Sequence, residues 1–408
     1  MALPALGARP GAVKPRTVLL RSGWQTVNIG DVAHSPGVLC LLEKHVPDAA
    51  VILWSNALEG GVEAMLRRRF PKLRIVSGEP GDREVRQAID DSDFFLHGSG
   101  PSVVARDHLE AWRRITGKPY GIYGVTIPAS NEAASAALDP AMHDLLKAAR
   151  FVFTRETASL ENLRRAGLEG PEIGFAPDGT FSLDLEDEKS ALTFLRENGL
   201  ESKKFIAVVP RLRYTPYHKF RKVNLPEAEI QRRTALSERH QEADHSRLRE
   251  AIATWVRRTG NKALLCPEMS YELEIIDPLL YDRLPADVKK STVRRKTFWL
   301  PDEAASVYRR AVAVLSFECH SPIIAAAQGT PCMYIHQPED GIKGQMWKDV
   351  GLADWYFEID KTSGAQIAGR LMEIHSGYAA ATARLNRAVQ SARRIQAERM
   401  ASLRRQLN

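Results

Sequence analysis

The sequence contains few cysteines and no long hydrophobic run. Among its 408 residues there are four cysteines, whose spacing matches neither a metal-binding motif nor a dense disulfide pattern: Cys40, Cys266, Cys319 and Cys332. Such sparse usage is typical of a reducing compartment. No stretch approaches the roughly 18 apolar residues that cross a bilayer, and residues 1–16 lack the apolar centre of a signal peptide. We therefore expect a cytoplasmic protein with no metal site and no transmembrane segment.

The composition is that of a folded protein with a basic surface. Apolar residues make up 44% of the chain and charged residues 26%, which excludes extensive disorder. The formal net charge of +7 is spread over short arginine clusters, and no nucleic-acid recognition motif accompanies it. We therefore expect no nucleic-acid partner. The charge favours an anionic substrate, and the arginine-rich C-terminal helix is compatible with peripheral contact to an anionic membrane.

The length of the chain and the alternation of its predicted elements indicate two α/β lobes. A chain of 408 residues exceeds what one hydrophobic core usually serves. Apolar, strand-like runs alternate with helical patterns, which favours doubly wound parallel sheets. We expect a flexible tail over residues 1–16, Rossmann-like domains over 17–200 and 201–360 with a central cleft between them, and a helical extension over 361–408. Residues 211–241 are basic and poorly periodic, and we interpret them as an active-site loop with a helical piece.

The most informative segment is residues 316–331. A predicted buried strand precedes Glu318 and His320, and a small-residue helix over 322–328 follows them. Ligands of open parallel sheets bind at the carboxyl ends of the strands, where helix N-termini also attract anions. We therefore expect Glu318, His320 and the adjacent Ser321 to contact substrate.

Glu318 and His320 form a candidate acid–base pair. If the strand continues through them, its two-residue period places both side chains on one face. A carboxylate beside an imidazole raises the basicity of the ring and selects its tautomer. The alternative is a buried polar pair without a catalytic role. Cys319 would face the hydrophobic core in either case.

A loop with Asn28, Gly30 and Asp31 follows the first predicted strand. Its backbone N–H groups at the start of a helix can bind a polar ligand. Alternatively, Gly30 is a turn residue and Asp31 caps the helix. We include all three residues among the candidates for substrate binding.

A second loop, formed by His97, Gly98, Ser99 and Gly100, ends a later predicted strand. The two glycines let a ligand approach the backbone closely. His97 is a candidate for proton transfer near neutral pH. The alternative is a tight turn in which the backbone satisfies the histidine.

Three arginines are candidates for binding an anion. Arg155 stands at a strand-to-helix junction, where a guanidinium can fork onto a carboxylate or phosphate. The alternative is a structural pair with Asp178 or Glu156. Arg211 and Arg213 follow a predicted strand in the second half. Their alternate positions let one reach the cleft while the other faces solvent, and Arg211 is the preferred one. Both are included among the candidates for substrate binding.

Taken in order, these motifs resemble those of the polysaccharide pyruvyl transferase family. The matching segments lie between about residues 20 and 335: Asn28-x-Gly-Asp31, His97-Gly-Ser-Gly100, Phe153-Thr-Arg-Glu156, Pro177-Asp178 and the unit that runs from Ser316 to Pro331. The resemblance implies two lobes similar to those of GT-B glycosyltransferases. It also implies transfer of the pyruvyl group of phosphoenolpyruvate to a hydroxyl of a sugar or lipid-linked glycan, with no further cofactor.

The same resemblance implies that His320 contacts the donor or acts as the acid. One position departs from the family pattern, because Glu318 stands where the family usually has an arginine two residues before this histidine. A carboxylate there would repel phosphoenolpyruvate, unless Arg211, Arg213 or Arg155 compensates. Two alternatives therefore stay open: a GT-B-type glycosyltransferase that uses a nucleotide-sugar donor, and a non-catalytic relative that binds glycans.

Overall fold

Two parallel sheets organise the chain. The structure is a computed structural model that describes residues 15–128, 138–221 and 224–408, so most of the tail expected over residues 1–16 lies outside it. The first sheet contains β1 (Thr17–Arg21), β2 (Ala50–Trp54), β3 (Arg74–Val76), β4 (Phe94–His97), β5 (Tyr120–Val125), β6 (Phe151–Thr154) and β7 (Glu172–Phe175). The second contains β8 (Phe205–Val209), β9 (Lys262–Leu265), β10 (Thr292–Arg294), β11 (Ala313–Ser316), β12 (Cys332–His336) and β13 (Tyr356–Glu358).

Both sheets have the strand order of a doubly wound Rossmann fold. The orders are β3-β2-β1-β4-β5-β6-β7 and β10-β9-β8-β11-β12-β13, with every pairing parallel. The order reverses between β1 and β4 in the first sheet and between β8 and β11 in the second. Ligands of such sheets bind in the crevice at the carboxyl ends of the strands beside this switch point. The predicted fold class, an α/β protein with two Rossmann-like lobes, is confirmed.

Fifteen α-helices accompany these strands in the described part of the chain. They are α1 (Ile29–His45), α2 (Val62–Arg69), α3 (Arg83–Asp91), α4 (Arg106–Thr116), α5 (Pro140–Lys147), α6 (Thr157–Arg165), α7 (Glu188–Glu197), α8 (Glu227–Thr259), α9 (Glu272–Ile275), α10 (Ala286–Lys289), α11 (Pro301–Tyr308), α12 (His320–Ala327), α13 (Gln345–Asp349), α14 (Gly364–Ser376) and α15 (Tyr378–Leu407). Along β1, Val18 and Leu20 join one buried cluster and Leu19 joins another. The first sheet is therefore buried on both faces, as all-parallel sheets usually are.

The C-terminal helix α15 returns from the second sheet to the first. Gln396 donates to the carbonyl of Asp178 at 2.8 Å, and Arg399 donates to the carbonyl of Phe175 at 2.9 Å. Most arginines of α15 are engaged by carboxylates or carbonyls in this way, for example Arg384 by Asp354. No helix among the described residues is long and apolar enough to cross a membrane.

The helical piece predicted within residues 211–241 is the start of a long helix, because α8 begins at Glu227 and continues through the helix predicted further along the chain. This helix has 33 residues, and its buried side chains lie mainly in its second half. The first half therefore lacks the apolar stripe by which amphipathic helices are recognised in a sequence. Charge pairs such as Glu229 with Arg233, 2.7 Å apart, support it instead.

The strand expected to continue through Glu318 and His320 ends at Ser316. The hydroxyl of Ser316 accepts the N–H of Glu318 at 2.9 Å and donates to the carbonyl of the same residue at 2.7 Å. This local hydrogen bonding turns the chain out of the sheet. Helix α12 then begins at His320, earlier than the predicted helix over 322–328. The two side chains follow a turn rather than the period of a strand, and each binds other partners.

Three short strands at the sheet edges, β7, β10 and β13, were not predicted. They have three or four residues each and are partly exposed. Neither a continuous apolar run nor a clear alternation marks such strands in the sequence. The helix α3 was also missed. The bounds proposed for the two domains stay a prediction.

Helix α1 approaches the loop after β7 so closely that only glycine fits. A Cβ atom on Gly37 would lie 2.6 Å from the backbone of Gly179. A Cβ atom on Gly30, in the first turn of the same helix, would overlap the ring of His320. These two glycines therefore let α1 lie directly against the second lobe and against the loop that carries Asp178.

Replacing Gly37 by alanine is expected to lower the free energy of unfolding by about 1–3 kcal/mol, because the backbone of Gly179 must move. Urea denaturation measures this difference. Gly369→Ala in α14 is the matched control, since no atom lies within 4 Å of its Cβ position. Alanine there should stabilise the helix by roughly 0.5–1 kcal/mol. A Gly37→Ala protein as stable as the wild type would contradict the close packing.

Candidate functional site

The loops at the two switch points face one cavity between the lobes. Its volume is about 250 Å³. The first lobe contributes Trp24, Asn28, Asp31 and Pro101, and the second contributes Arg211, Tyr214, Thr215, Tyr217, Arg233, Met269, Glu318, Cys319, His320, Glu339 and Lys343. The lobes also meet through the backbone, because the N–H of Ile29 donates to the carbonyl of Glu268 at 3.0 Å. We call this candidate site the catalytic cavity.

His320 lies on the cavity wall with acidic groups behind it. Its Nδ1 is 3.6 Å from a carboxylate oxygen of Glu268 and 3.3 Å from the sulfur of Cys319. Its Nε2 is 3.0 Å from Nε2 of His34 and 3.8 Å from a carboxylate oxygen of Asp178. The carboxylates beside the imidazole are thus Glu268 and Asp178, not Glu318 as expected. Cys319 contacts the ring and lines the cavity rather than facing only the core.

The pKa values of His320 and His34 are shifted in opposite directions. Burial alone lowers the pKa of His320, but the Cys319 sulfur and hydrogen bonds to Asp178 and Glu268 outweigh it and raise that pKa well above its usual value. Burial keeps the pKa of His34 below its usual value, although Asp178 opposes this. Burial raises the pKa of Asp178, yet His34, His320 and Arg155 hold it well below its usual range. These opposite shifts favour a charged His320 beside a neutral His34.

Arg155 lies behind His320 and not on the cavity wall. It is fully buried, with Nη1 3.0 Å from Asp178 and 3.5 Å from Nε2 of His320. Its Nε donates to the hydroxyl of Thr126 at 2.8 Å. The structure therefore favours the structural alternative, in which Arg155 pairs with Asp178, over direct binding of substrate.

Three side chains near Arg155 lie close enough together to bind a metal ion, but the guanidinium of Arg155 already contacts two of them. The ligand atoms of His34, Asp178 and His320 lie within 4.8 Å of one another, which a metal ion would require. Arg155 places its positive charge against two of them. We interpret the group as a hydrogen-bonded charge network and assign no metal to it.

Arg211 reaches the catalytic cavity, as expected, and lies beside Glu318. Its Nε is 2.9 Å from a carboxylate oxygen of Glu318, and its Nη2 is 2.9 Å from Asp340. Its Nη1 donates to the side chain of Gln337 at 2.9 Å. Burial raises the pKa of Glu318 to about 7, and the attraction of Arg211 only partly opposes the shift. A guanidinium therefore stands next to the position where the family usually has its arginine.

Arg213 does not face solvent, and it does not line the cavity. It is 1% exposed and binds Asp244 at 2.6 Å, Asp360 at 2.5 Å and Glu339 at 3.3 Å. Three carboxylates surround the guanidinium, so its buried charge is satisfied within the protein. The predicted substrate contact through Arg213 is replaced by a structural role.

The loop after β1 contributes both to the start of α1 and to the wall of the cavity. The side chain of Asn28 accepts the N–H of Gly30 at 2.6 Å and that of Asp31 at 3.3 Å, so Asn28 caps α1 and Asp31 does not. Asp31 lines the cavity and accepts a hydrogen bond from Gln25. Gly30 contributes the space that the His320 ring fills.

The loop after β4 is covered by α1 and does not line the catalytic cavity. His97 is fully buried, and burial together with Arg21 lowers its pKa to about 3. Gly98 lies against Ser22 and Val38, so its lack of a side chain serves packing rather than ligand approach. The expectation that His97 transfers protons to substrate is therefore not supported by its position.

Ser99, Gly100 and Ser321 were predicted to contact substrate, but each of them has a hydrogen-bonding partner within the protein. Ser99 accepts the N–H of Gly179 at 2.8 Å, and Gly100 forms a backbone bridge to Val125. Ser321 is fully buried, where its N–H donates to a carboxylate oxygen of Glu268. None of the three lines the cavity, unlike their neighbours Pro101 and His320.

Several functional candidates were missed in the sequence. Glu268 follows β9 and so reaches the same sheet edge as Arg211, which is a signal that strand topology offers. His34 lies one helical turn after Gly30, on the same side of α1. Lys343 lines the cavity from a 3₁₀ helix after β12, and no pattern in the sequence marks it.

The raised pKa of Glu318 makes a prediction about stability. Its folded pKa of about 7 exceeds its usual value of 4.5, so the folded state holds this proton more tightly than the unfolded chain does. Stability from this group is therefore complete at low pH and declines as pH rises from about 4.5 to about 7. Between pH 4.5 and pH 7 the free energy of unfolding of the wild type should therefore fall further than that of Glu318→Gln. The expected difference is about 1–3 kcal/mol.

Urea denaturation at pH 4.5, 6 and 7.5 measures this difference. Glu84→Gln, at an exposed position on α3, is the control and should follow the wild type. Equal pH dependence of Glu318→Gln and wild type would contradict the raised pKa.

The fold matches solved structures over nearly the whole chain. Anabaena Alr3699/HepE in complex with UDP-glucose has a TM-score of 0.58 at 11% identity, covering 95% of this chain and 99% of that one. UDP-GlcNAc 2-epimerase from Neisseria meningitidis has a TM-score of 0.55 at 11% identity, covering 95% of this chain and 100% of that one. Identities this low establish the fold alone, which is that of GT-B glycosyltransferases and UDP-GlcNAc 2-epimerases.

Membership of a family rests on the sequence. A comparison with curated proteins gives no match. The model of one family, described as Polysaccharide pyruvyl transferase, matches residues 28–336, which is well over half of the chain and includes the loops at both switch points. The chain therefore belongs to the Polysaccharide pyruvyl transferase family.

Proposed function

We propose that the protein transfers the pyruvyl group of phosphoenolpyruvate to a glycan, forming a pyruvate ketal on a sugar and releasing phosphate. The observation that supports this most is the wall of the catalytic cavity, where the imidazolium of His320 and the guanidinium of Arg211 face the same space. The first is an acid and the second is a partner for an anion. Family membership supports the same chemistry.

Three cations on the cavity wall suit the donor, which carries a phosphate and a carboxylate. They are Arg211, Arg233 and Lys343, and the same wall also carries the carboxylates of Asp31, Glu318 and Glu339. Glu318 neutralises Arg211 in the free protein. Because burial raises the pKa of Glu318 to about 7, protonation near neutral pH leaves Asp340 as the one charged partner of Arg211 and adds net positive charge to the wall that meets the incoming anion. A glutamate at the family's arginine position is in this way compatible with the donor.

The acid–base chemistry follows from the charge of His320. The imidazolium gives its proton to the methylene carbon of phosphoenolpyruvate, which leaves a cationic carbon that a sugar hydroxyl attacks. The phosphate then leaves, and a second hydroxyl of the same sugar closes the ketal. One hydroxyl proton returns to His320 and the other leaves with the phosphate. Asp178 and Glu268 stabilise the charged imidazole before transfer.

A nucleotide-sugar donor is the second candidate. The Anabaena structure of the same fold is a complex with UDP-glucose, and Glu318 lines the cavity, where a carboxylate could hold a sugar hydroxyl. The ion pair of Glu318 with Arg211 weighs against this role, because it occupies the carboxylate. A non-catalytic glycan-binding protein is the third candidate, and it would not need an imidazolium on the cavity wall.

Thermal denaturation with candidate donors tests the proposal. Phosphoenolpyruvate at a hundredfold excess over its Kd should stabilise the protein by about 2.7 kcal/mol. UDP-glucose and UDP-GlcNAc at the same concentration should leave Tm unchanged. A shift with a nucleotide sugar and none with phosphoenolpyruvate would replace the proposed donor. The absence of any shift would favour the non-catalytic candidate.

Two substitutions separate the acid from the anion site. His320→Gln should lower the rate of phosphate release by about 100-fold or more, because glutamine cannot donate the proton. Arg211→Lys should raise the KM for phosphoenolpyruvate by about tenfold, because an ammonium group lacks the two parallel N–H donors with which a guanidinium binds a phosphate or carboxylate. His45→Gln and Arg67→Lys, outside the cavity, are the controls. Unchanged kinetics would remove the substituted residue from the site.

A further inference from the structure

The reaction proposed for the catalytic cavity needs a second proton acceptor besides His320. Two sugar hydroxyls lose their protons when a cyclic ketal forms, and His320 takes back only the one that it gave to the donor. The other proton must go to a group on the wall of the same cavity, because the attacking hydroxyl meets the donor there. Three carboxylates line that wall: Asp31, Glu318 and Glu339.

Glu318 and Glu339 are engaged by arginines. Glu318 is either paired with Arg211, at 2.9 Å, or protonated, because burial raises its pKa to about 7. Glu339 lies 3.3 Å from the guanidinium of Arg213, and such a partner stabilises the charged form of a carboxylate at the expense of its basicity. Neither residue offers an unpaired carboxylate to a hydroxyl.

Asp31 has no arginine or lysine partner among the described residues. Its one ion-pair contact is with His34, whose Nδ1 lies 3.8 Å from Oδ1 of Asp31. Burial lowers the pKa of His34, which favours the neutral ring, so the carboxylate meets no full positive charge there. Asp31 is therefore the carboxylate of the cavity wall that is available to take a proton.

One oxygen of Asp31 is held in place and the other is free. Oδ2 accepts a hydrogen bond from the side-chain amide of Gln25, whose own oxygen accepts one from Arg221 at 2.8 Å. The contact with Arg221 fixes which end of the amide faces Asp31. Oδ1 accepts no hydrogen bond from a described residue, and the side chain is 8% exposed on the wall of the cavity. Such an oxygen can accept a hydrogen bond from a hydroxyl.

The backbone beside Asp31 lies against the acid of the cavity. A Cβ atom on Gly30 would overlap the ring of His320. The ring of His34 links the two groups, with its Nε2 3.0 Å from Nε2 of His320 and its Nδ1 towards Asp31. A carboxylate of the first lobe and the imidazole of the second are thus held on either side of one histidine ring.

We infer that Asp31 is the general base of the reaction, which takes the proton of the first attacking hydroxyl and passes it to the departing phosphate. The inference rests on the proposed function, because it assigns a proton acceptor to that reaction. The attacking and the departing oxygen are bonded to the same carbon, so one carboxylate can reach each of them in turn.

The protons and electron pairs of this sequence balance. The O–H bond of the first hydroxyl breaks as its oxygen bonds to the cationic carbon, and Asp31 becomes a carboxylic acid. The C–O bond to the phosphate then breaks, its electron pair leaves with the phosphate, and the phosphate takes the proton from Asp31. The proton of the second hydroxyl returns to His320, so both residues regain their starting charge.

Asp31→Asn tests the base with a side chain of the same shape. We expect phosphate release from phosphoenolpyruvate to be slowed about 100-fold or more, because an amide cannot take the proton. The acceptors are methyl glucoside and methyl galactoside, whose hydroxyls can close a cyclic ketal, and water alone, which can replace the sugar as nucleophile.

Two comparisons accompany this measurement. The thermal shift produced by phosphoenolpyruvate should persist in Asp31→Asn, since the loss of a negative charge does not weaken the binding of an anion. Asp107→Asn is the matched control and should release phosphate at the wild-type rate, because Asp107 is an exposed aspartate in the first turn of α4, outside the cavity.

Chemical rescue separates a base from a structural carboxylate. Asp31→Ala leaves a space that formate can enter, and we expect added formate to raise the rate of this variant by about tenfold. Formate should not change the rate of Asp31→Asn, whose amide fills the space. A carboxylate that only supported α1 would not be replaced in turnover by free formate.

The outcomes separate the base from the proposed reaction. A wild-type rate in Asp31→Asn, or a slow Asp31→Ala protein that formate does not rescue, would overturn the assignment of the base and leave the pyruvyl transfer standing. The absence of phosphate release by the wild type, with both glycosides and with water, would overturn the proposed reaction and the base with it.

Discussion

Opposite charges buried where the two lobes meet are the constraint on which the rest of the cleft depends. His320 from the second lobe and His34 from the first share Asp178 between them, and Arg155 supports the same carboxylate. Removing one partner from a buried set of charges typically costs several kcal/mol. The two lobes are thus held together by the same groups that set the charge of the imidazole, and neither function can change without the other.

The position of the cavity could be predicted from the sequence because it follows from topology. Alternating strands and helices indicate parallel sheets, and parallel sheets place their ligands at strand ends. Arg211, Glu318 and His320 were found by this rule, and all three line the cavity. His97 satisfies the same rule but is covered by α1, which approaches through Gly37. Whether a strand end is open or covered depends on helix packing, which no local pattern reveals.

The partners of each side chain could not be predicted. The Glu318–His320 pair failed because one hydroxyl, that of Ser316, turns the chain after the strand. Asp178 and Glu268 lie far from His320 in sequence, so only the assembled lobes bring them to the ring. The first half of α8 escaped recognition because few of its side chains are buried, and the usual signal for a helix is an inner face that meets a core.

The end of the chain has a part in the chemistry proposed for the cleft. Gln396 on α15 holds the backbone carbonyl of Asp178, 218 residues away in sequence, and it is itself fully buried. The loop with Asp178 is therefore fixed by α15 as well as by the charges of the cleft. Helix α15 follows both sheets in the sequence, so this contact forms only after both sheets have been synthesised. The position of Asp178 beside His320 consequently depends on a helix that belongs to neither sheet.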